Sequence, residues 1–161
     1  MGEGTIGTRK IKFAYTPGII NSDGKNMGSV LENFFGFLAP GPHAIIIVIA
    51  PNRGTAMENR ALEDLRNFFG DDHFLDFTML VIVRKNEIIG EFGNWENIND
   101  FIADKSTQSV QKLYEKCNKR SVAVENKQAM TELQKDTEKV FEEIDKMDGY
   151  YTHRYFRILS D

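Results

Sequence analysis

The apolar residues concentrate in two uninterrupted runs, residues 44–50 and 77–83, which are rich in β-branched side chains. Such runs are typical of strands covered on both faces, as in a parallel sheet between layers of helices. Between them, apolar residues recur at helical spacing over 61–69, after a capping box formed by Thr55 and Glu58. The pattern predicts a right-handed β–α–β unit whose two strands are buried on both faces.

Shorter patterns predict the remaining elements. Alternation of polar and apolar residues over 9–15 predicts a strand, and the residues before it are interpreted as a flexible start or a turn. The polar, Gly- and Asn-rich stretch 19–28 predicts a loop. Further helices are predicted over 30–38, 95–103, 109–117 and 128–147, and a short strand over 121–124. Together the elements predict a single α/β domain over 1–161, with its core at about 9–147 and an aromatic tail at 148–161.

Composition and charge narrow the class of protein. The 161 residues are 41 % hydrophobic and 27 % charged, which suffices for one domain with its own core. The net charge is −4 and Lys and Arg do not cluster, so nucleic acid is not expected as a partner. A single cysteine permits no internal disulfide, which fits a reducing compartment and predicts a cytoplasmic location. The longest apolar run, 44–50, is far shorter than the roughly 20 residues of a membrane-spanning helix.

The segments that follow the predicted strands are the candidates for chemistry, because ligands of open α/β sheets bind at the carboxyl ends of the strands. These segments are 15–18, 52–55, 84–87 and 125–127. By residue type alone, Lys85 and Glu87 are more typical of a solvated loop than of a binding site.

Other residues that could carry chemistry are interpreted as structural. The Asp-Asp-His sequence at 71–73 fits a polar loop better than a metal site, because a lone histidine without spaced partners is no zinc signature. Cys117 has no nearby activating group in the sequence, and Trp95 is expected to pack. No catalytic and no metal-ligating residue is assigned.

Several short motifs in a fixed order resemble one known family. They are T-P-G at 16–18, P-G-P-H-A at 40–44, R-G-T at 53–55, F-G at 69–70, R-K-N-E-I at 84–88, D-F-I at 100–102, C-N-K-R at 117–120, N-K at 126–127 and Y-Y-T at 150–152. In order and spacing they resemble the motifs of the immunity-associated GTPases, the GIMAP family, which carry an AIG-type G domain. The resemblance covers almost the whole chain.

The resemblance implies a fold, a ligand and site residues. The implied fold is a three-layer, P-loop-NTPase-like G domain with a mostly parallel sheet, and the implied ligand is GTP or GDP. Thr16 and Gly18 match the element that senses the γ-phosphate. Arg84, Lys85 and Glu87 match the loop that reads guanine, and Asn126 matches the second loop beside the base. The family also implies GTP-dependent self-assembly and roles in immunity.

The chain departs from the family pattern on the phosphate side. No G-x-x-x-x-G-K-[ST] motif occurs in the 161 residues, so the first strand, the P-loop and switch I are expected to be missing. Tyr15 replaces the aspartate that would hold Mg²⁺, which argues against that ion. Glu87 replaces the aspartate that accepts two N–H groups of guanine, and its extra methylene moves the acceptor by about 1 Å. We therefore expect weak or no nucleotide binding and no hydrolysis.

Two other functions stay open. The chain could be a nucleotide-free interaction module that binds full-length GIMAP-like GTPases, or a degenerate fragment with little function. A homo-oligomer is a further expectation, since the loss of a strand opens a gap in the sheet. In that case the strand at 10–15 either pairs with 44–50 or leaves an open edge that pairs with another chain.

Overall fold

The structure is a computed structural model that describes residues 1–15, 27–51, 63, 65–67, 69–92 and 97–158. These residues form two compact units. The first unit comprises Met1–Pro42 with Tyr150–Asp161, and the second comprises His43–Gly149. The single domain over 1–161 stays a prediction. Residues 19–26 of the loop predicted over 19–28, the capping box of Thr55 and Glu58, and Trp95 lie outside the described residues.

The first unit begins with a β-hairpin. Strand β1 (Gly2–Ile6) pairs antiparallel with β2 (Arg9–Phe13). The two-residue connection starts with Gly7 at φ 61°, a conformation that glycine adopts without strain and that hairpin turns of the II′ class place first. The sequence interpretation of these first residues as a flexible start or a turn into the next strand is met by the turn at residues 7–8, but it missed the strand β1 before that turn.

The strand at 10–15 was expected either to pair with 44–50 or to expose an edge that pairs with another chain. The first alternative was wrong, because the strand is bonded to β1 in a two-stranded sheet. The second alternative stays a prediction. The local hairpin closes a short loop, which costs less conformational entropy than a pairing more than 30 residues away.

Helix α1 (Met27–Leu38) confirms the helix predicted over 30–38, and its first two residues lay in the predicted loop. The chain then turns at Gly41, which has φ 151° and passes so close to Tyr151 that a Cβ atom would lie 1.8 Å from the Tyr151 carbonyl oxygen. Only glycine fits this approach. The Tyr151 N–H donates to the Pro42 carbonyl oxygen at 2.9 Å, which ties the end of the chain to this turn.

The aromatic tail packs within the first unit. It ends in helix α6 (Arg154–Ile158). Tyr151 and Phe156 are fully buried. The Phe35 ring of α1 meets the Phe156 ring edge-on, with ring centroids 4.7 Å apart. Aromatic pairs of this geometry stabilise by about 1 kcal/mol beyond the area that they bury.

The second unit is built on a parallel sheet. Its strands β3 (Ile45–Ile49), β4 (Thr78–Val83) and β5 (Ser121–Val124) lie in that order, and all three are parallel. The predicted strands and the α/β class are confirmed. The finer expectation, a three-layer G domain that lacks its first strand, P-loop and switch I, stays a prediction.

The expectation that both strands of the β–α–β unit are buried on both faces holds for only one of them. Strand β4 is central, and its residues are buried up to Ile82. Strand β3 leaves Ile46 42 % and Val48 62 % exposed. A continuous apolar run shows what a strand can bury, but it does not show whether a second layer covers it.

Besides the partly described helix over 61–69, the described part of the second unit contains these helical segments. They are a 3₁₀ helix (His73–Phe77) and the helices α2 (Lys85–Phe92), α3 (Ile98–Lys105), α4 (Gln108–Lys116) and α5 (Met130–Asp145). Val140 and Ile144 of α5 pack on a core cluster formed by Met79, Val81, Val122 and Met147. Leu80 and Ile82 alternate with these strand residues and are buried on the other face.

One predicted helix differs in its boundaries, one agrees with the structure where it is described, and one observed helix was not predicted. Helix α3 begins at Ile98, where the Asn97 side chain accepts a hydrogen bond from the Asn99 N–H. The helix predicted over 61–69 is helical where it is described, and Gly70 at φ 78° follows it. Helix α2 was not predicted, because its first turn is capped by Glu125, a residue far away in the sequence. Among the described residues, no helix has the length and apolar content that crossing a membrane requires.

Candidate functional site at the carboxyl edge of the sheet

The structure brings two of the predicted segments together. Strands β4 and β5 are neighbours, and their last residues, Val83 and Val124, are paired in register. The segments 84–87 and 125–127 therefore leave the sheet side by side at its carboxyl edge. Among the predicted site residues, Arg84, Lys85, Glu87 and Asn126 lie in these segments. Thr16, Gly18 and the segment 52–55 lie outside the described residues.

Glu125 joins the two segments. Its side chain is only 4 % exposed, and its Oε2 accepts a hydrogen bond from the Asn86 N–H at 3.0 Å. Its Oε1 accepts from the Lys127 N–H at 2.8 Å. These two bonds hold the pKa of Glu125 below its ordinary value, and the bond from Lys127 has the larger effect. A carboxylate at the first turn of α2 satisfies an N–H that the helix itself leaves unpaired, and this contact explains why α2 starts here.

The buried side chain of Asp136, in α5, contacts both segments of this region. It is 3 % exposed, and its Oδ2 accepts from the Glu125 N–H at 3.1 Å and from Gln128 Nε2 at 2.8 Å. Its Oδ1 lies 3.6 Å from Lys85 Nζ. Burial raises the pKa of Asp136, but these hydrogen bonds and the charges of Lys85 and Lys139 outweigh it, so the pKa is lowered. The side chain is a carboxylate at neutral pH.

Arg84 and Glu87 form a pair of their own. Arg84 has φ 59°, and its Nη1 donates to Glu87 Oε2 at 2.9 Å. Both side chains are more than one-third exposed, so the pair is weak. The Glu87 carboxylate, which the resemblance assigns to guanine, is thus held by a neighbouring cation in this structure.

A cavity of about 300 Å³ lies beside Lys85 and β5. It is lined by α2, α3, α5 and the strand, and its surface combines apolar side chains such as Ile88 with polar ones such as Asn99. The Ser121 hydroxyl donates to Asn99 Oδ1 at 2.8 Å in its wall. The volume is at the lower end of the range for small-molecule sites.

Sequence reasoning missed Asp136 and the capping role of Glu125. One signal was present for Asp136, because it lies between Leu133 and Val140 on the apolar stripe of α5, where an acidic residue needs a buried partner. The partners themselves come from other elements and carry no local pattern.

The residues that sequence reasoning considered and set aside have structural partners. Asp72 holds Arg66 through two contacts, one of them Arg66 Nη2 to Asp72 Oδ2 at 2.7 Å. His73 Nδ1 lies 3.0 Å from Asp76 Oδ2 at the start of the 3₁₀ helix. Cys117 is fully buried, and burial raises the pKa of its thiol to about 11. Among the described residues, no group of His, Cys, Asp and Glu side chains could hold a metal ion.

A comparison with protein families identifies the chain. The family model described as the AIG1 family matches residues 1–158, which is nearly the entire sequence. The match includes both segments at the carboxyl edge and the helix that carries Asp136. The chain belongs to the AIG1 family.

Proposed function

We propose that the chain binds guanine nucleotides through the base-side loops at the carboxyl edge of β4 and β5. The observation that supports this most is the link that Glu125 makes between the two segments, through the Asn86 N–H at 3.0 Å and the Lys127 N–H at 2.8 Å. The link holds Lys85 and Asn126 at one edge of the sheet, where ligands of α/β folds bind.

Each residue has a chemical role in this proposal. The stem of Lys85, whose side chain is 34 % exposed, covers one face of the purine. The Glu87 carboxylate accepts the two N–H groups that guanine offers on one edge and adenine does not. To do so, Glu87 leaves Arg84, which costs little because that pair is largely solvated. Asn126, which is exposed beside the loop, borders the base from the other side.

The affinity in this proposal comes from the base. The 161 residues contain no P-loop motif, whose backbone amides and lysine normally supply most of the phosphate binding. We therefore propose weak binding, with a Kd of about 0.1–1 mM, little dependence on Mg²⁺ and no hydrolysis. Thr16 and Gly18 are proposed to contribute only with GTP, because they match the element that senses the γ-phosphate.

A ligand-observed NMR titration of the full chain with guanosine, GDP and ADP tests the proposal. We expect guanosine and GDP to bind with similar affinity and ADP to bind at least about fivefold more weakly. Glu87→Ala should abolish the preference for guanine, whereas Glu138→Gln, an exposed change on α5, should not. Equal binding of GDP and ADP, or no binding of guanosine at several millimolar, contradicts the proposal. Micromolar, Mg²⁺-dependent binding of GTP contradicts its account of the phosphate side.

A second candidate function is a nucleotide-free interaction module that binds full-length GIMAP-like GTPases or a second copy of the chain. The apolar side chains of Ile46 and Val48, exposed on β3, favour it, because large exposed apolar groups often mark contact surfaces. Sedimentation of the chain alone and with a full-length relative tests it. We expect association that Val48→Lys weakens, and purely monomeric sedimentation in both experiments contradicts it.

A further inference from the structure

We propose that Asp136 is a positioning residue that fixes Lys85 where the purine binds. The inference rests on the proposed guanine-nucleotide function and extends it to a residue of α5 outside the motifs that resemble the family. Asp136 is not expected to touch the ligand, because its side chain is 3 % exposed and lies beneath the loops.

The contacts of Asp136 come from different parts of the site. Oδ2 takes the N–H of Glu125, at the end of β5, and the amide of Gln128, in the loop before α5. Oδ1 is left to face Lys85 Nζ at 3.6 Å, at the start of α2. The two carboxylate oxygens therefore have different partners. Oδ2 bonds the segment that follows β5, and Oδ1 faces the lysine of the segment that follows β4.

Lys85 needs such an anchor. A lysine side chain has four rotatable bonds, and confining it costs conformational entropy. An ammonium held at a buried carboxylate places the stem in one arrangement before the ligand arrives. Lys85 also lines the cavity beside β5, together with Lys139, so a released ammonium has space to move away from the edge.

Two cations and one like charge surround Asp136. Lys85 faces it from α2 and Lys139 from its own helix, and both attract the carboxylate, whereas the Glu125 carboxylate, directly after β5, repels it. Lys139 follows Asp136 by three residues along α5. Lys85 is the cation whose ammonium the structure places within 4 Å of the carboxylate, so replacement of Asp136 acts on Lys85 first.

A double-mutant cycle on GDP affinity tests the proposal. The four proteins are the unaltered chain, Asp136→Asn, Lys85→Met and the double variant, each titrated with GDP. Asparagine keeps an oxygen for the Glu125 N–H and removes the charge that holds Lys85. We expect Asp136→Asn to weaken GDP binding about fivefold in the presence of Lys85 and less than about twofold in the Lys85→Met background. Glu138→Gln, which removes an exposed charge from the same helix, should leave the affinity unchanged.

Equal weakening in both backgrounds overturns the proposal, since Asp136 then acts on the loops and not through Lys85. No weakening in either background overturns it as well. The same cycle on the midpoint of urea unfolding needs no nucleotide, and there we expect a non-additive effect of the two substitutions. If GDP fails to bind any protein while unfolding shows this coupling, the proposed function fails and the Lys85–Asp136 contact stands. Additive unfolding effects reject the contact itself.

Discussion

The carboxylate of Asp136 accepts a hydrogen bond from the main-chain N–H of Glu125 at 3.1 Å, and both side chains are buried. One acidic residue thus fixes the backbone of another, whose own carboxylate caps the helix that starts at Lys85. This chain of contacts connects three elements, α5, β5 and α2, at the edge where the proposed ligand binds. The arrangement of the segments at the carboxyl edge of the sheet therefore depends on the two buried carboxylates of Glu125 and Asp136.

Replacing Glu125 by Ala should destabilise the protein by about 2 kcal/mol. The substitution leaves the N–H groups of Asn86 and Lys127 without the carboxylate that they bond, and each orphaned donor costs about 1 kcal/mol or more. Urea unfolding followed by circular dichroism measures the change. Glu115→Ala, at an exposed position on α4, is the control and should cost less than about 0.5 kcal/mol. A similar loss in both variants would contradict the capping role.

The stability of the fold should fall with acid. The folded-state pKa values of Glu125 and Asp136 are both lowered below the ordinary values of about 4. The folded state then binds fewer protons than the unfolded state, so the stabilisation is fully present above about pH 5 and is lost as the pH falls through the lowered values. Lys85 and Lys139 contribute to the lowered pKa of Asp136, and Lys127 contributes to that of Glu125.

Urea unfolding between pH 7 and pH 3 measures this dependence. The doubly neutral variant Glu125→Gln with Asp136→Asn should be less stable at pH 7 and should lose less stability on acidification than the unaltered chain. If the free energy of unfolding fell equally steeply with pH in the two proteins, the acid dependence would belong to other groups.

Gly41 and Gly90 should respond to alanine with opposite signs. A Cβ at Gly41 meets the Tyr151 carbonyl oxygen at 1.8 Å, and φ is 151°, so Gly41→Ala should cost more than about 2 kcal/mol. Gly90 lies in α2 with no heavy atom within 4 Å of a Cβ, so Gly90→Ala should stabilise by up to about 1 kcal/mol. Thermal unfolding of the two variants, compared with the unaltered chain, measures both changes in stability. Equal effects would show that the turn at Gly41 is looser than its contact with Tyr151 implies.

Releasing Glu87 should improve guanine binding. Arg84→Ala removes the cation that now holds the Glu87 carboxylate at 2.9 Å. Because the pair is exposed, its removal should strengthen GDP binding only about twofold to threefold. The matched change Arg154→Ala alters an arginine of α6 to which the proposal gives no role, and it should leave GDP affinity unaltered. Weaker binding of GDP to Arg84→Ala would mean that Arg84 itself contacts the ligand.

The elements that sequence reasoning predicted well are those with local signals. The strand over 121–124 matches β5, and the apolar stripe of the long helix matches α5 to within two residues at each end. The strand β1 was missed because glycines interrupt its apolar pattern, and α2 because Glu125 caps it from 39 residues away. Burial of β3 was overestimated, since composition cannot show which face is covered.

The candidate site was predictable in its place and less so in its contacts. The rule that ligands bind at carboxyl ends of strands selected the segments of Lys85 and Glu125 from sequence alone. Their connection through two buried carboxylates could not be predicted, because it depends on side chains that meet only after the sheet and α5 have packed. Asp136 lies in no motif, and its proposed role rests on its distances to the Glu125 N–H, to Gln128 Nε2 and to Lys85 Nζ.

The most direct test of the central claim is a map of amide chemical shifts in the full chain on addition of GDP and, separately, of ADP. The account predicts that GDP shifts the amides of residues 84–87 and 125–128, with Asn86 and Lys127 among the most affected. It predicts much smaller changes with ADP at the same concentration. GDP-induced shifts that spare both segments, or equal shifts with the two nucleotides, would contradict the claim that this edge of the sheet reads guanine.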